Sequence, residues 1–145
     1  MIYWDTSVII KLYFREEDSG LVVDTAKKFD CSIPITLLHE LEIANALELK
    51  RFRRELTSAQ LSRAVSVINR HEDEGIFHRP IIEMPDIFRL AMDFSRRFTH
   101  ITGSRSLDIL HVAAASILEA KGFFSNDHRQ LKLAELVGLF NIPLH

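Results

Sequence analysis

Cysteine occurs once among the 145 residues, at Cys31, which excludes an internal disulfide. No Cys/His cluster has the spacing of a structural zinc site, so neither bridges nor a metal staple are needed for stability, and at roughly 150 residues a single core suffices. Five glycines and four prolines are about half the usual share, which excludes collagen-like, linker-like and disordered chains and favours helices. Charge of either sign is not in excess: 18 Lys+Arg against 20 Asp+Glu leave −2. Any RNA contact must therefore come from local basic clusters. The longest uncharged apolar run, at 109–118, includes His111 and falls far short of the roughly 20 residues that cross a bilayer. No membrane span is expected. An acid at position 5 and the lack of a basic leader argue against a secretory signal and for a cytoplasmic protein. Gly-rich phosphate loops are missing, which argues against dinucleotide and P-loop nucleotide binding. Ser7 lacks the G-x-S-x-G elbow of serine hydrolases.

What is present is an ordinary globular composition, 47% hydrophobic and 26% charged, without repeats or linkers, so 1–145 reads as one domain. Residues 2–4 form an apolar run stopping at Asp5, and helical spacing follows through Val8, Ile9, Leu12 and Tyr13. A second helix is expected over 19–29, a strand over 32–36 with Pro34 at its start or at an edge, and a long helix over 37–54. Thr57 with Gln60 is a capping box opening a helix that ends near Gly75. A strand over 76–82 precedes a helix begun at Pro85, whose apolar positions include Ile87, Phe88, Phe94 and Phe98 and read as core. Ser106 is expected to cap a helix over 107–121 stopped by Gly122. A brief strand at 123–125, a helix opened by Asp127 and a last strand over 139–144 complete the chain. Five short strands between helices predict an α/β architecture with a mostly parallel sheet.

In a parallel sheet the C-terminal ends of the strands and the N-termini of the following helices share one edge, where open α/β folds bind ligands. Four segments deliver an acid there. Asp5 ends the first strand, Glu42 lies in the second turn of the long helix, Asp108 lies in the first turn of a later helix, and Asp127 follows the fourth strand. Asp5 alone reads equally well as an N-cap, and Asp108 and Asp127 as complements to a helix dipole. Glu42 is harder to dismiss, because with Asn45 it interrupts an apolar stripe of Leu38, Leu49 and Phe52, whereas Glu40 can reach solvent. Four converging carboxylates need protons or a cation. Mg2+ or Mn2+, which prefers oxygen ligands and keeps several waters, is the economical answer, and it suits hydrolysis of a phosphodiester.

Tyr3-Trp4-Asp5-Thr6-Ser7, Glu42-Ile43-Ala44-Asn45-Ala46-Leu47, the segment 107–115 and Phe124-Ser125-Asn126-Asp127 together resemble the acidic motifs of PIN-domain nucleases, and the size resembles that of VapC-type ribonuclease toxins. The resemblance runs over 2–138. It implies a Rossmann-like three-layer α/β fold of about five short strands flanked by helices, and a metal-dependent endoribonuclease forming the toxin half of a toxin-antitoxin pair. It further implies Asp5 and Asp108 as principal metal ligands, Glu42 and Asp127 completing the site, and Thr6, Ser7, Asn45 or Ser125 supporting it. Its expected partners are RNA, an antitoxin and a second copy of the chain. No further acid occurs at 109–118, so one and two metals both stay open. A catalytically silent RNA- or protein-binding module and a housekeeping RNA-processing nuclease are the alternatives.

Arg105, His128 and Arg129 flank two of these acids and are the candidates for holding the scissile strand. The basic run at 50–54 ends a helix about 18 Å beyond Glu42, where it complements the dipole or binds RNA or an acidic partner segment. His111, on a stripe with Leu107, Ala114 and Leu118, reads as a buried hydrogen-bonded histidine before a ligand or base. Cys31 reads as a small packed side chain, and Tyr13, Phe14 and Phe52 as candidate interface residues.

Overall fold

The computed structural model of the chain describes residues 1–144; the last residue of the 1–145 unit lies outside the described residues. Short buried strands alternate with helices in the order β1 (Ile2–Trp4), α1 (Thr6–Ile10), α2 (Ser19–Phe29), β2 (Ile33–Pro34), α3 (Leu37–Phe52), α4 (Ser58–Asp73), β3 (Phe77–His78), α5 (Met84–Thr102), α6 (Ser106–Ile117), β4 (Gly122–Ser125), α7 (His128–Leu136) and β5 (Phe140–Pro143). The architecture is α/β, as expected, but the strands do not form one sheet. β1, β4 and β5 make a parallel three-stranded sheet with β4 central, whereas β2 and β3 make a separate parallel pair. Proline is the physical reason for the short pair: Ile33 and Ile35 donate to the carbonyls of Ile76 and His78, and Pro80 lacks the N–H that would continue the ladder, so the strand expected over 76–82 shrinks to Phe77–His78.

The three-stranded register sets Ile2 and Phe140 on either side of Gly122. A Cβ at Gly122 would stand 2.7 Å from Ile2 Cδ1 and 3.3 Å from the Phe140 carbonyl oxygen. The glycine is therefore a close-approach residue opening β4. It is not the stop of α6: that helix ends at Ile117, and Glu119 takes the left-handed turn at φ 54°. Ser106 is likewise not the cap of α6. Arg105 holds the N-cap position, and its backbone N–H donates to Asp108 Oδ2 at 3.0 Å.

Two apolar cores flank the large sheet. One gathers Tyr3, Phe123 and the buried faces of α5, α6 and α7; the other gathers Trp4, Phe124, Val8 and Ile9 with Val22, Ile33 and Phe77. Tyr3 stacks on Phe123 at 5.5 Å between ring centroids, and Trp4 meets Phe124 edge-on at 4.8 Å. Each such pair adds about 0.5–1.5 kcal/mol beyond area burial and fixes β1 against β4. Of the apolar positions on α5, Ile87, Ala91 and Phe94 are buried, but Phe88 is half exposed, because the stripe is wider than the face α6 covers. Cys31 is exposed as well and does not pack, since it follows the left-handed Asp30 that ends α2. The Thr57–Gln60 capping box forms as expected, with Gln60 N–H on Thr57 Oγ1 at 3.1 Å and Thr57 N–H on Gln60 Oε1 at 2.9 Å. No helix among the described residues is long and apolar enough to cross a membrane.

Candidate active site

Parallel pairing of β1 with β4 carries Asp5 and Asp127 to the same edge of the sheet. Asp5 follows β1, with its N–H donating to the Phe124 carbonyl at 2.9 Å, and it caps α1, accepting from the Ser7 N–H at 3.1 Å. Asp127 caps α7, accepting from the N–H groups of Arg129 at 2.8 Å and Gln130 at 3.2 Å. Both residues therefore do the capping work that chain pattern alone allows for them. They also face a shared space. Asp5, Glu42, Asp108 and Asp127 line one cavity of about 270 Å³ together with Thr6, Ser7, Ile10, Ala46 and Arg105.

The four carboxylates are held differently. Both oxygens of Asp5 are engaged: Oδ2 by the Ser7 amide and hydroxyl, and Oδ1 by Gln130 Nε2 at 3.2 Å. Gln130 is itself fixed, because its Oε1 accepts from the buried Ser125 hydroxyl at 2.6 Å, and that hydroxyl accepts from the Asp127 N–H at 3.0 Å. Glu42 Oε1 accepts from Thr6 Oγ1 at 2.9 Å and from His111 Nε2. Burial pushes the Glu42 carboxyl up, but the hydrogen bond and charge of His111 and the hydroxyl of Thr6 outweigh it, so the group lies below its ordinary value. Asp108 Oδ2 accepts from the Arg105 amide and, at 3.1 Å, from its Nε, while an Arg105 terminal nitrogen stands 3.5 Å from Asp127 Oδ2. Among the described residues Arg105 is the only cation lining the cavity, and its side chain is 67% exposed, so it is a solvent-facing counter-charge and not a buried strut.

Behind the cavity lies a layer of buried hydrogen-bonding groups. His111 is buried, with Nδ1 at 2.9 Å from the Tyr3 hydroxyl. His39 donates from Nε2 to the Trp4 carbonyl at 2.8 Å and accepts on Nδ1 from the Thr36 N–H at 3.0 Å, an arrangement that uses the neutral ring. Burial first, and then the neighbouring His111, lower its pKa to about 3. Burial also raises the Tyr3 hydroxyl well above its ordinary value. The pattern of the chain allows His111 to be buried but does not reveal its bond to Glu42. It gives no sign of Gln130 or His39 at all, although Gln130 lies three residues beyond Asp127, where a first-turn side chain turns back toward the cap.

The expected supporting and strand-holding residues divide. Thr6, Ser7 and Ser125 contact the acids, whereas Asn45 is exposed and lines no part of the cavity. Arg105 lines it; His128 and Arg129 are exposed beside it, and only the backbone N–H of Arg129 reaches Asp127.

The fold is shared with two solved structures. A chain of the "Toxin-antitoxin complex from Klebsiella pneumoniae" superposes with a TM-score of 0.67 at 12% identity, covering 100% of this chain and 98% of that one. A chain of "FitAcB from Neisseria gonorrhoeae" superposes with a TM-score of 0.64 at 15% identity, covering 99% and 98%. Neither a family model nor a curated protein sequence matches the chain.

The donor set fits a hard divalent cation by chemistry. It is made of carboxylate oxygens, and Asp108 Oδ1 and Glu42 Oε2 have no protein partner among the described residues. No three His, Cys, Asp or Glu side chains among the described residues stand close enough to form a ready ligand cage. A hard ion such as Mg2+ takes one or two carboxylates directly and keeps several waters.

Proposed function

We propose that this protein is a Mg2+- or Mn2+-dependent endoribonuclease and the toxin component of a toxin-antitoxin pair. The observation that carries the reading is the gathering of four acids, from four separate segments, around one cavity with the exposed Arg105 as counter-charge. The motif resemblance to PIN-domain nucleases and the fold shared with toxin-antitoxin structures support it independently. On this reading Asp5 and Asp108 hold the metal and Glu42 and Asp127 hold water around it. The bound ion supplies Lewis-acid polarisation of a phosphoryl oxygen and lowers the pKa of a water. The chain itself supplies orientation: Gln130 and Ser7 fix the Asp5 carboxylate, Thr6 fixes Glu42, and the Arg105 guanidinium, exposed at the rim, receives a phosphate oxygen of the RNA. No protein nucleophile is needed. The antitoxin, and a second copy of the chain meeting the exposed Phe52, are the protein partners of this reading.

One observation favours a catalytically silent binding module instead: Arg105 spans Asp108 and Asp127 where a cation would sit. A single assay separates the two. Purified protein incubated with single-stranded RNA is expected to cleave it with Mg2+ or Mn2+ and to stop with EDTA, and its expression is expected to arrest growth. RNA binding without cleavage in either metal establishes the silent module.

A further inference from the structure

We propose that His111, backed by Tyr3, is a positioning residue of the cleavage site, aiming Glu42 so that one carboxylate oxygen is committed to the protein and the other is presented to the cavity. The inference rests on the nuclease reading above and adds residues to it that carry no acid and line no part of the cavity. Glu42 is brought in by the second turn of α3, beyond the end of β2, and its side chain is only part-buried, so it has rotamers to choose from. Two donors on one side restrict it. Thr6 Oγ1 at 2.9 Å and His111 Nε2 both meet Oε1, and no protein atom among the described residues takes Oε2.

The imidazole can aim the carboxylate only if its own ring is held and its Nε2 carries the proton. Both conditions follow from Tyr3. Its hydroxyl lies 2.9 Å from His111 Nδ1, and its ring is pinned by stacking on Phe123 and by contact with His39 at 5.1 Å between centroids. A phenol donating to Nδ1 leaves Nε2–H as the donor to Glu42. The path Tyr3 to His111 to Glu42 joins β1, α6 and α3 in one line of hydrogen bonds, and all its members except Glu42 are buried. Hydrogen-bonding partners one step behind metal-site carboxylates set affinity and rate by orienting them.

The test compares wild type with His111→Leu, His111→Gln and Tyr3→Phe. Three quantities are read: Mn2+ affinity from the free-ion EPR signal, kcat and KM for a single-stranded RNA, and Tm. His111→Leu is expected to weaken Mn2+ binding or lower kcat by about 10–100-fold with KM little changed. His111→Gln, which can still offer an N–H to Oε1, is expected to recover most of that loss. Tyr3→Phe, one oxygen lighter, is expected to lose several-fold and keeps the test decisive if His111→Leu does not fold. Wild-type Mn2+ affinity and kcat in Tyr3→Phe and His111→Leu overturn the inference and leave the nuclease reading standing. So do losses in the Leu and Gln variants that are equal and follow Tm alone. A wild type that neither binds Mn2+ nor cuts RNA overturns both.

Discussion

Two hollows of the molecule are crossed by an arginine that bridges two carboxylates, and they differ in what is left over. In the groove between α3 and α4, Arg79 pairs with Glu40 and Glu72 above walls of Ile35, Ile43, Leu47, Val65 and Phe77. Two acids share one cation over apolar surface, and the ion pairs simply close an edge. In the acid-lined cavity Arg105 bridges Asp108 and Asp127 while Asp5 and Glu42 stay in the same space, so carboxylates outnumber the cation four to one. A bridging arginine is thus no mark of function by itself. The unbalanced remainder is, because hydroxyl and amide donors such as Ser7, Thr6 and Gln130 keep those acids in place without cancelling their charge.

The comparison breaks most sharply on the acids. Asp5→Asn or Asp108→Asn is expected to lower metal-dependent RNA cleavage by about a thousandfold, with far-UV circular dichroism unchanged, the scale on which metal-activated water contributes. Glu40→Gln in the groove is expected to leave cleavage unaltered; equal losses from both hollows would show that the cavity has no special standing.

Acid separates the regions next. His39, directly behind the cavity, has its pKa lowered from 6.5 to about 3, so between those values the unfolded chain binds a proton that the folded chain refuses. Stability is therefore full above pH 6.5 and falls as pH drops toward 3, on the order of 4 kcal/mol at about 1.4 kcal/mol per pKa unit. Glu42, also held below its ordinary value, adds loss of the same sign below its unfolded pKa. Urea midpoints measured from pH 7 to pH 4 check this, and His39→Gln is expected to flatten the slope.

Arg105→Ala removes the competitor for Asp108 and Asp127. Mn2+ affinity is expected to rise several-fold while RNA binds more weakly, with a salt slope shallower by about one unit. Titrations by EPR and by fluorescence-detected RNA binding read both; a fall in Mn2+ affinity would make Arg105 a structural strut. The smallest effect belongs to the groove. Arg79→Ala, whose pairs are largely solvent-screened, is expected to cost no more than about 1 kcal/mol, seen as a small drop in Tm with metal affinity unchanged.

How much of this was legible in the sequence depended on whether the information was local. Asp127 opening a helix, the Thr57–Gln60 box and the acids at segment ends are read within a few residues, and each is found where the pattern puts it. What pattern could not supply is partner choice. Nothing along the chain says that β2 pairs with β3 apart from the larger sheet, that Phe88 stays half exposed, or that Cys31 is exposed. His111 shows the same limit from inside the site. Its stripe predicts burial, while its bond to Glu42 spans 69 positions of sequence and appears only once α3 and α6 meet.

Because β1 finds its hydrogen-bonded neighbour in β4 and not in any nearer segment, Asp5 must wait for Asp127. Long-range parallel pairing of this kind is slow to form. On the proposed reading, a nascent chain that still lacks β4 is harmless to the messages being translated around it, and cutting power arrives in one step when the two strands pair.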